Sequence, residues 1–279
     1  MHDTLSRNGC WFWMSEQLDI HRQEKKKTMV NQAITLGGLP ITVASCDSAA
    51  RDMIETALRY RGQNRPPQYV TSANGQVLSM CAAQPEIRTL FEQADIIHAD
   101  GEPMVKFSRL MCETGLPERV ATTDLVHNTA NLAQKQDVTF YFLGAAQDVI
   151  EAAVANVQKA YPNLEFAGFR NGYISPDQEE DVLAEINAAA PDILWIGMGV
   201  PLEQSFIVRN RHKLTNVGVI KTSGGLFDFL SGRNKRASEW MQNWGLEWAY
   251  RTWLEPKRLA WRYLTTNPHA LLLLLTRSR

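Results

Sequence analysis

Residues 191–204, PDILWIGMGVPLEQ, contain the strongest indication of the fold class. Its apolar run has no polar face, which is typical of a strand that helices cover on both sides. A glycine turn follows the run, and a polar, helix-forming segment begins near residue 203. A strand, a glycine turn and a helix in this order indicate a parallel βαβ unit.

The same alternation of short apolar runs and longer amphipathic segments continues along most of the chain. One amphipathic segment begins at Ser175 and Pro176 with an acidic first turn, and another has Asp47 or Ser48 as its cap. We therefore predict an α/β fold, a Rossmann-like and mostly parallel sheet flanked by helices. The predicted strands cover residues 41–45, 68–72, 94–99, 138–144, 164–169, 192–199 and 217–222.

The chain is long enough for one large α/β domain or for a domain with an appendage, and its 44% hydrophobic content is that of an ordinary folded protein. After residue 222 the pattern is helical, and Pro256 marks the first turn of a last helix. The predicted helices cover residues 225–231, 238–254 and 257–266. We divide the chain into a loose extension (1–35), an α/β domain (36–232) and a helical appendage (233–279).

The appendage concentrates positive charge and tryptophan. It holds nine Lys/Arg and three Asp/Glu, a net charge of +6, so the preceding 232 residues carry −7 of the total −1. Five of the eight tryptophans lie there, and Trp240, Trp244 and Trp248 have the spacing of one helix face. Because tryptophan and basic residues suit an anionic bilayer surface, the pattern favours membrane association. The alternative is a tryptophan stripe packed on the body beside a solvated basic face.

Several classes of protein and site do not fit the sequence. No apolar run reaches the ~18 residues of a membrane span, and the N-terminus does not resemble a secretory signal. The four cysteines lack metal-ligand spacing and the six histidines are scattered, so we expect no metal site and a reducing cytosol. Nothing in the charge pattern indicates nucleic acid.

Candidate site residues follow from the rule that ligands bind beyond the carboxyl ends of the strands in an open α/β sheet. Asp100 follows an apolar strand, and burial there can raise the pKa of its carboxyl, which makes it the strongest acid–base candidate. The alternative for Asp100 is an N-cap of the next helix, and Asp124 has the same two interpretations. The other candidates at strand ends are Ser72, Asn74, Thr123, Tyr173, Gly199, Gln204, Gly224 and Gly225.

The glycine turn in residues 197–199 offers backbone N–H groups that can hold a phosphate. It is not the G-x-G-x-x-G dinucleotide fingerprint, because Leu202 stands in place of the third glycine. Without a metal, a bound diphosphate needs helix N-termini and arginine or lysine side chains. That requirement points to the basic appendage.

Taken together and in order, these segments resemble the bacterial WecG/TagA/CpsF glycosyltransferase family (glycosyltransferase family 26), from about residue 40 to 265. The motifs that carry the resemblance are TSAN, ADIIHADG, LPERVATTDLV, NGY, PDILWIGMGVPLEQ, GGLFDFLSG and KRASEWMQNWGLEWAYRTWLEPKRLAWRYL. The resemblance implies transfer of a sugar from a UDP-sugar to a polyprenyl-diphosphate-linked sugar. It implies a peripheral protein at the cytoplasmic face of the bacterial inner membrane, with a homo-oligomer as one option. Because the residues show no metal-ligand pattern, we expect no metal cofactor.

The resemblance also implies roles for particular residues. Asp100 takes the place of the general base, and Ser72 and Asn74 line the same pocket. The family's appendage is both a membrane anchor and a lid whose arginines complete the active site. On this chain, those diphosphate-binding arginines are Arg251, Arg258 and Arg262.

This sequence departs from the family pattern at residues 202–204, where the family's PKQE reads PLEQ. The PLEQ form looks more like the exopolysaccharide branch with glucosyltransferases of xanthan- and acetan-type assembly. We therefore expect UDP-glucose as donor, with UDP-N-acetylmannosamine as the second option. Two other functions stay open, a non-catalytic membrane-associated scaffold of a polysaccharide assembly complex and another nucleotide-binding α/β enzyme, such as an oxidoreductase.

Overall fold

The computed structural model describes residues 32–238, 240–241 and 244–279, and leaves the side chains of Arg251 and Arg258 undescribed. The predicted loose extension therefore lies outside the described residues, except for residues 32–35. There the chain already enters the first strand, β1 (Ala33–Leu36).

Six strands form one sheet in the order β4-β3-β8-β7-β5-β6, and every neighbouring pair in it is parallel. This confirms the predicted α/β, Rossmann-like fold class. The strands of this sheet are β3 (Gln68–Ala73), β4 (Ile96–Ala99), β5 (Phe140–Gly144), β6 (Phe166–Arg170), β7 (Ile193–Gly197) and β8 (Val219–Thr222).

Helices cover both faces of this sheet, so the central strands β5 and β7 are buried along their whole length. This explains their unbroken apolar sequences. The helices before the appendage are α1 (Cys46–Tyr60), α2 (Gly75–Ala83), α3 (Pro85–Glu92), α4 (Glu102–Met111), α5 (Thr122–Ala133), α6 (Gln147–Ala160), α7 (Glu179–Ala189), α8 (Leu202–Asn210) and α9 (Leu226–Leu230).

A short hairpin lies outside the parallel sheet. The segment predicted as a strand at residues 41–45 forms β2 (Leu39–Thr42), which pairs antiparallel with β1 across the Gly37–Gly38 turn. The hairpin also holds the end of the chain, because Arg279 exchanges backbone hydrogen bonds of 2.9 and 3.2 Å with Thr35. The first and last described segments are thus fixed to each other.

The appendage contains α10 (Glu247–Leu254) and α11 (Pro256–Thr276). Pro256 begins α11 as predicted, but the helix continues ten residues beyond the predicted end. The prediction of one helix over 238–254 is wrong, because Gly245 adopts the left-handed conformation (φ +75°) just before α10 begins. Because Gly245 lies between Trp244 and Trp248, Trp248 does not share a continuous helix face with Trp240 and Trp244.

The last two turns of α11 are packed into the body. Ala270, Leu273 and Leu274 are buried, and Nδ1 of His269 lies 2.9 Å from Oγ of Ser79 in α2. Two indoles at the other end of the appendage, those of Trp253 and Trp261, are 81% and 76% exposed. No helix of the described residues is long and apolar enough to span a membrane.

Candidate functional site

A cavity of about 500 Å³ opens beyond the carboxyl ends of β3, β4 and β8, with α10 and α11 on its outer side. This is the edge of the sheet where the sequence places the ligand. Seven of the predicted site residues line the cavity together: Ser72, Asn74, Asp100, Thr123, Gly224, Gly225 and Arg262.

The Asp100 carboxylate faces the first turn of α5. Its Oδ2 accepts hydrogen bonds from Oγ1 of Thr122 (3.2 Å) and, at 3.4 Å, from the backbone N–H of the same residue. The cap interpretation of Asp100 is wrong, because Gly101 is the N-cap of α4 and no side chain caps that helix. Burial raises the pKa of Asp100, and the positive charge of Lys221 opposes that rise.

Asn74 and Ser72 reach the cavity from the end of β3. Oδ1 of Asn74 caps α2 by accepting a hydrogen bond from the N–H of Val77 (3.1 Å). Oγ of Ser72 lies 3.4 Å from Oγ1 of Thr122 and accepts a 2.9 Å hydrogen bond from Nζ of Lys221. The two hydroxyls connect the lysine with the aspartate.

Lys221 is a functional candidate that the sequence reasoning missed. It is fully buried in β8 and also donates to the carbonyl oxygen of Thr222 (2.6 Å). Burial lowers the pKa of Lys221 to about 8, while the negative charges of Asp100 and Glu203 act in the opposite direction. The signal was a lysine inside the otherwise apolar strand VGVIKT.

The glycine turn after β7 is filled by a carboxylate of the protein itself. Oε2 of Glu203 accepts hydrogen bonds from the backbone N–H groups of Met198 (3.3 Å), Gly199 (3.2 Å) and Gly224 (2.9 Å). The interpretation of this turn as a phosphate site is therefore wrong for this structure, since those donors already have a partner. Burial raises the pKa of Glu203, and these N–H groups lower it.

Gln204, the next residue, points into the protein interior. It is fully buried, and its amide nitrogen lies 3.2 Å from Oε1 of Glu203 and 3.5 Å from Oγ1 of Thr71. Gln204 and Gly199 do not line the cavity. Neither does Tyr173, whose side chain is 79% exposed on the loop after β6.

Asp124 belongs to an ion-pair network rather than to a helix cap. The N-cap of α5 is Ala121, which makes no side-chain bond, so the cap interpretation of Asp124 is wrong as well. The Asp124 carboxylate binds both terminal nitrogens of Arg236 and lies 3.8 Å from Arg119. Arg119, a second candidate that sequence reasoning missed, also pairs with Glu247 of α10 at 3.1 Å.

Arg262 brings one appendage guanidinium to the cavity wall. Its Nη2 donates to the hydroxyl of Tyr263 (3.2 Å), and its guanidinium carbon lies 4.9 Å from the centre of that ring. The side chains of Arg251 and Arg258, the other two predicted diphosphate ligands, lie outside the described part of the structure. Across the described residues there is no cluster of three or more His, Cys, Asp or Glu that could hold a metal ion.

A cavity at the carboxyl edge of a parallel sheet, with a partly buried aspartate inside and arginines at its wall, agrees with the comparison of the chain with known families. The glycosyl transferase WecG/TagA/CpsF family model matches residues 34–279. The chain belongs to this family. The predicted recognition is thereby confirmed over nearly all of the described residues.

Three curated relatives of this WecG/TagA/CpsF family member carry the same name, N-acetylglucosaminyldiphosphoundecaprenol N-acetyl-beta-D-mannosaminyltransferase. The protein of Bacillus spizizenii is 32% identical over 75% of this chain and 79% of its own length. That of Bacillus subtilis (strain 168) is 30% identical over 71% and 75%, and that of Staphylococcus aureus is 28% identical over 72% and 77%. This family member is thus similar to transferases whose names describe a lipid-linked sugar.

Proposed function

We propose that this glycosyltransferase moves a hexose, with inversion, from a UDP-sugar to a polyprenyl-diphosphate-linked sugar in bacterial exopolysaccharide or cell-surface polysaccharide synthesis. Family membership supports the transfer of a sugar, and the names of the relatives support the lipid-linked acceptor. The observation that carries the proposal is the Asp100 carboxylate, which lines the cavity and is held by Thr122.

In the proposed reaction, Asp100 takes the proton of the acceptor hydroxyl while that oxygen attacks C1 of the donor sugar. The bond from C1 to the UDP oxygen breaks on the opposite face, and UDP leaves with the bonding electron pair. One carboxylate at the acceptor side suffices for this single displacement. The raised pKa of Asp100 favours proton uptake at neutral pH.

The negative charge that develops on the leaving diphosphate needs positive groups already in place. Arg262 lines the cavity and supplies one of them, and Arg119 is a further cation in the cavity wall. Arg251 and Arg258 stay in the proposal as the other diphosphate ligands. We propose no metal in this role, because guanidinium groups can bind a diphosphate in a bidentate manner.

The donor sugar is proposed from residues 202–204. The PLEQ sequence favours UDP-glucose, whereas the relatives' names favour transfer of N-acetylmannosamine. In the structure, Glu203 and Gln204 stabilise the fold, because Glu203 binds the glycine turn and Gln204 is buried. We keep UDP-glucose as the proposed donor and UDP-N-acetylmannosamine as its competitor.

A membrane-surface position at the cytoplasmic face of the inner membrane completes the proposal. The exposed indoles of Trp253 and Trp261 lie on α10 and α11, the same helices that border the cavity. Indole side chains are suited to the headgroup region of a bilayer. A bilayer touching this side of the protein would present a lipid-linked acceptor beside Asp100.

The test is UDP release from a panel of UDP-sugars, with polyprenyl-diphosphate-linked glucose and N-acetylglucosamine as acceptors. We expect release only when donor and acceptor are both present, and fastest with UDP-glucose. Release fastest with UDP-N-acetylmannosamine would correct the donor alone. No release from any pair would contradict the proposal; vesicle binding without UDP-sugar affinity would then indicate a scaffold, and binding of NAD an oxidoreductase.

A further inference from the structure

Lys221 is a buried cation in the middle of the sheet. It lies on β8, between β3 and β7, and is 0% exposed. A buried ammonium group is unfavourable unless hydrogen bonds and opposite charges compensate it. Its hydrogen bonds go to Oγ of Ser72 (2.9 Å) and the carbonyl oxygen of Thr222 (2.6 Å), and the bond to Ser72 leads toward the cavity.

The hydrogen bonds from Lys221 form a path with one direction. The ammonium donates to Ser72, and the Ser72 hydroxyl is then free to donate to Oγ1 of Thr122, 3.4 Å away. The Thr122 hydroxyl in turn donates to Oδ2 of Asp100 at 3.2 Å. Each donor in such a chain polarises the next, so the positive charge at one end stabilises the carboxylate at the other.

We propose that Lys221 is a positioning residue that, through Ser72 and Thr122, keeps the Asp100 carboxylate ionised and oriented for proton abstraction. This inference rests on the proposed role of Asp100 as base. Burial alone favours the neutral carboxyl, which cannot accept the proton of an incoming hydroxyl. Lys221 is the largest opposing influence on the pKa of Asp100.

Glu203 explains why the lysine can stay charged throughout the reaction. Its Oε2 accepts three backbone N–H groups and its Oε1 accepts the Gln204 amide, a pattern that fits an ionised carboxylate. When Asp100 takes up the proton and becomes neutral, Lys221 keeps Glu203 as its counter-charge. The three groups then pass from a net charge of −1 to zero without moving a proton to or from the lysine.

The other groups that act on this centre come from several elements. Arg119 lowers the pKa of Asp100, whereas Glu247 raises it. The ionisable groups around Asp100 and Lys221 are Glu203 on α8, His98 on β4, Cys46 on α1, Arg119 before α5, Arg236 before α10 and Glu247 on α10.

The experiment is the pH dependence of kcat/KM for Lys221→Gln and Lys221→Met, with folding checked by circular dichroism. We expect the acid limb of both variants to lie at higher pH than that of the wild type, because Asp100 loses its positive neighbour. Activity lost at pH 7 should return as the pH rises, and the loss should fall on kcat rather than on KM. Lys221→Arg keeps the positive charge, so the acid limb of its kcat/KM profile should stay at the wild-type pH.

Glu247→Gln is a control with the opposite expected effect, because the negative charge of Glu247 raises the pKa of Asp100. The acid limb of its kcat/KM profile should move to lower pH. The inference would be overturned if the neutral Lys221 variants fold and have a lower kcat, but the acid limb of their kcat/KM profile stays at the wild-type pH. Should neither neutral variant fold, Thr122→Val breaks the last link of the path without touching the lysine. The acid limb of its kcat/KM profile should also move to higher pH. An acid limb at the wild-type pH would contradict the proposed hydrogen-bond path from Lys221 to Asp100. Full activity of Asp100→Asn would instead remove the proposed base itself.

Discussion

Oγ1 of Thr122 lies 3.2 Å from Oδ2 of Asp100, so the first residue of α5 holds the carboxylate that directly follows β4. Hydrogen bonds to a charged acceptor contribute about 1.5–3 kcal/mol. We expect Thr122→Val, which keeps the shape and removes the hydroxyl, to lower kcat by about tenfold or more at pH 7. Steady-state UDP release measures this, and the melting temperature shows whether the variant folds.

Thr89→Val is the matched control for that substitution. Thr89 is exposed on α3, and its hydroxyl donates a hydrogen bond to the carbonyl oxygen of Pro85 in its own helix. The control should keep wild-type turnover. Equal turnover of Thr122→Val and Thr89→Val would show that the Thr122 hydroxyl does not support the Asp100 carboxylate during the reaction.

Much of the fold could be predicted because its signals are local. The unbroken apolar runs of β5 and β7 identify strands that are covered on both faces, and Pro256 marks the first turn of α11. The position of Asp100 at the sheet edge follows from its place after such a run. Local patterns thus locate the strands and the side of the sheet where the cavity lies.

The features that could not be predicted depend on contacts between distant residues. Nothing near Thr35 indicates that it pairs with Arg279, and nothing near Gly224 indicates that its N–H donates to Glu203, 21 residues earlier in the chain. The tryptophan spacing before α10 predicts one helix, but Gly245 adopts the left-handed conformation and interrupts it. The first two cases depend on tertiary contacts, and the third on a single backbone conformation.

His98 predicts how stability depends on pH. Burial, with a smaller contribution from Lys221, lowers the pKa of His98 to about 3, whereas the unfolded chain has a pKa near 6.5. Between these values the unfolded state binds more protons. Stability from the neutral imidazole is therefore complete above about pH 6.5 and falls by up to about 1.4 kcal/mol for each pH unit below it.

The measurement is urea unfolding of the wild type and His98→Leu at pH 7 and pH 4.5. The wild type should lose more stability than the variant between these two values. Asp52, whose pKa burial raises to about 6, acts in the opposite direction in both proteins and so cancels in the comparison. Identical pH dependence in both proteins would show that His98 is not the group responsible.

Asp192 predicts a large loss of stability upon substitution. Its carboxylate is 5% exposed and accepts two 2.7 Å bonds from Arg61, and two more bonds from Thr139. Removing one partner of a buried ion pair costs about 3–5 kcal/mol, and the exposure of Arg61 places Asp192→Ala near the lower value, about 3 kcal/mol. Urea unfolding measures the change.

The exposed pair of Arg88 and Glu92 on α3 provides the control for Asp192. Because both of its side chains face solvent, Glu92→Ala should change the free energy of unfolding by about 0.5 kcal/mol or less. If Asp192→Ala and Glu92→Ala lower the free energy of unfolding equally, burial does not determine how much the pair of Asp192 and Arg61 stabilises the fold.

Membrane association is best tested by point substitutions in the appendage. Deleting the whole appendage would expose the apolar residues that Leu273 and Leu274 cover, so loss of binding could reflect unfolding. We expect the double substitution Trp253→Ala, Trp261→Ala to lower partitioning onto vesicles with anionic lipid by about tenfold or more, because two indoles leave the interface. Vesicle sedimentation measures this.

Tyr173→Ala is the control for the tryptophan variant. Tyr173 is as exposed as the two indoles but lies on the loop after β6, outside the appendage. Its substitution should leave vesicle binding unchanged. If the tryptophan variant binds vesicles as the wild type does, the appendage surface is not the membrane contact.

We propose that Asp100 acts as the base of the sugar transfer. The most direct test is UDP release by Asp100→Asn with a UDP-sugar and a polyprenyl-diphosphate-linked acceptor, beside the wild type. The amide keeps the shape of the carboxylate but cannot take up the proton. We expect a folded variant whose kcat is lower by about 10²–10⁴-fold. Turnover near that of the wild type would rule out Asp100 as the base.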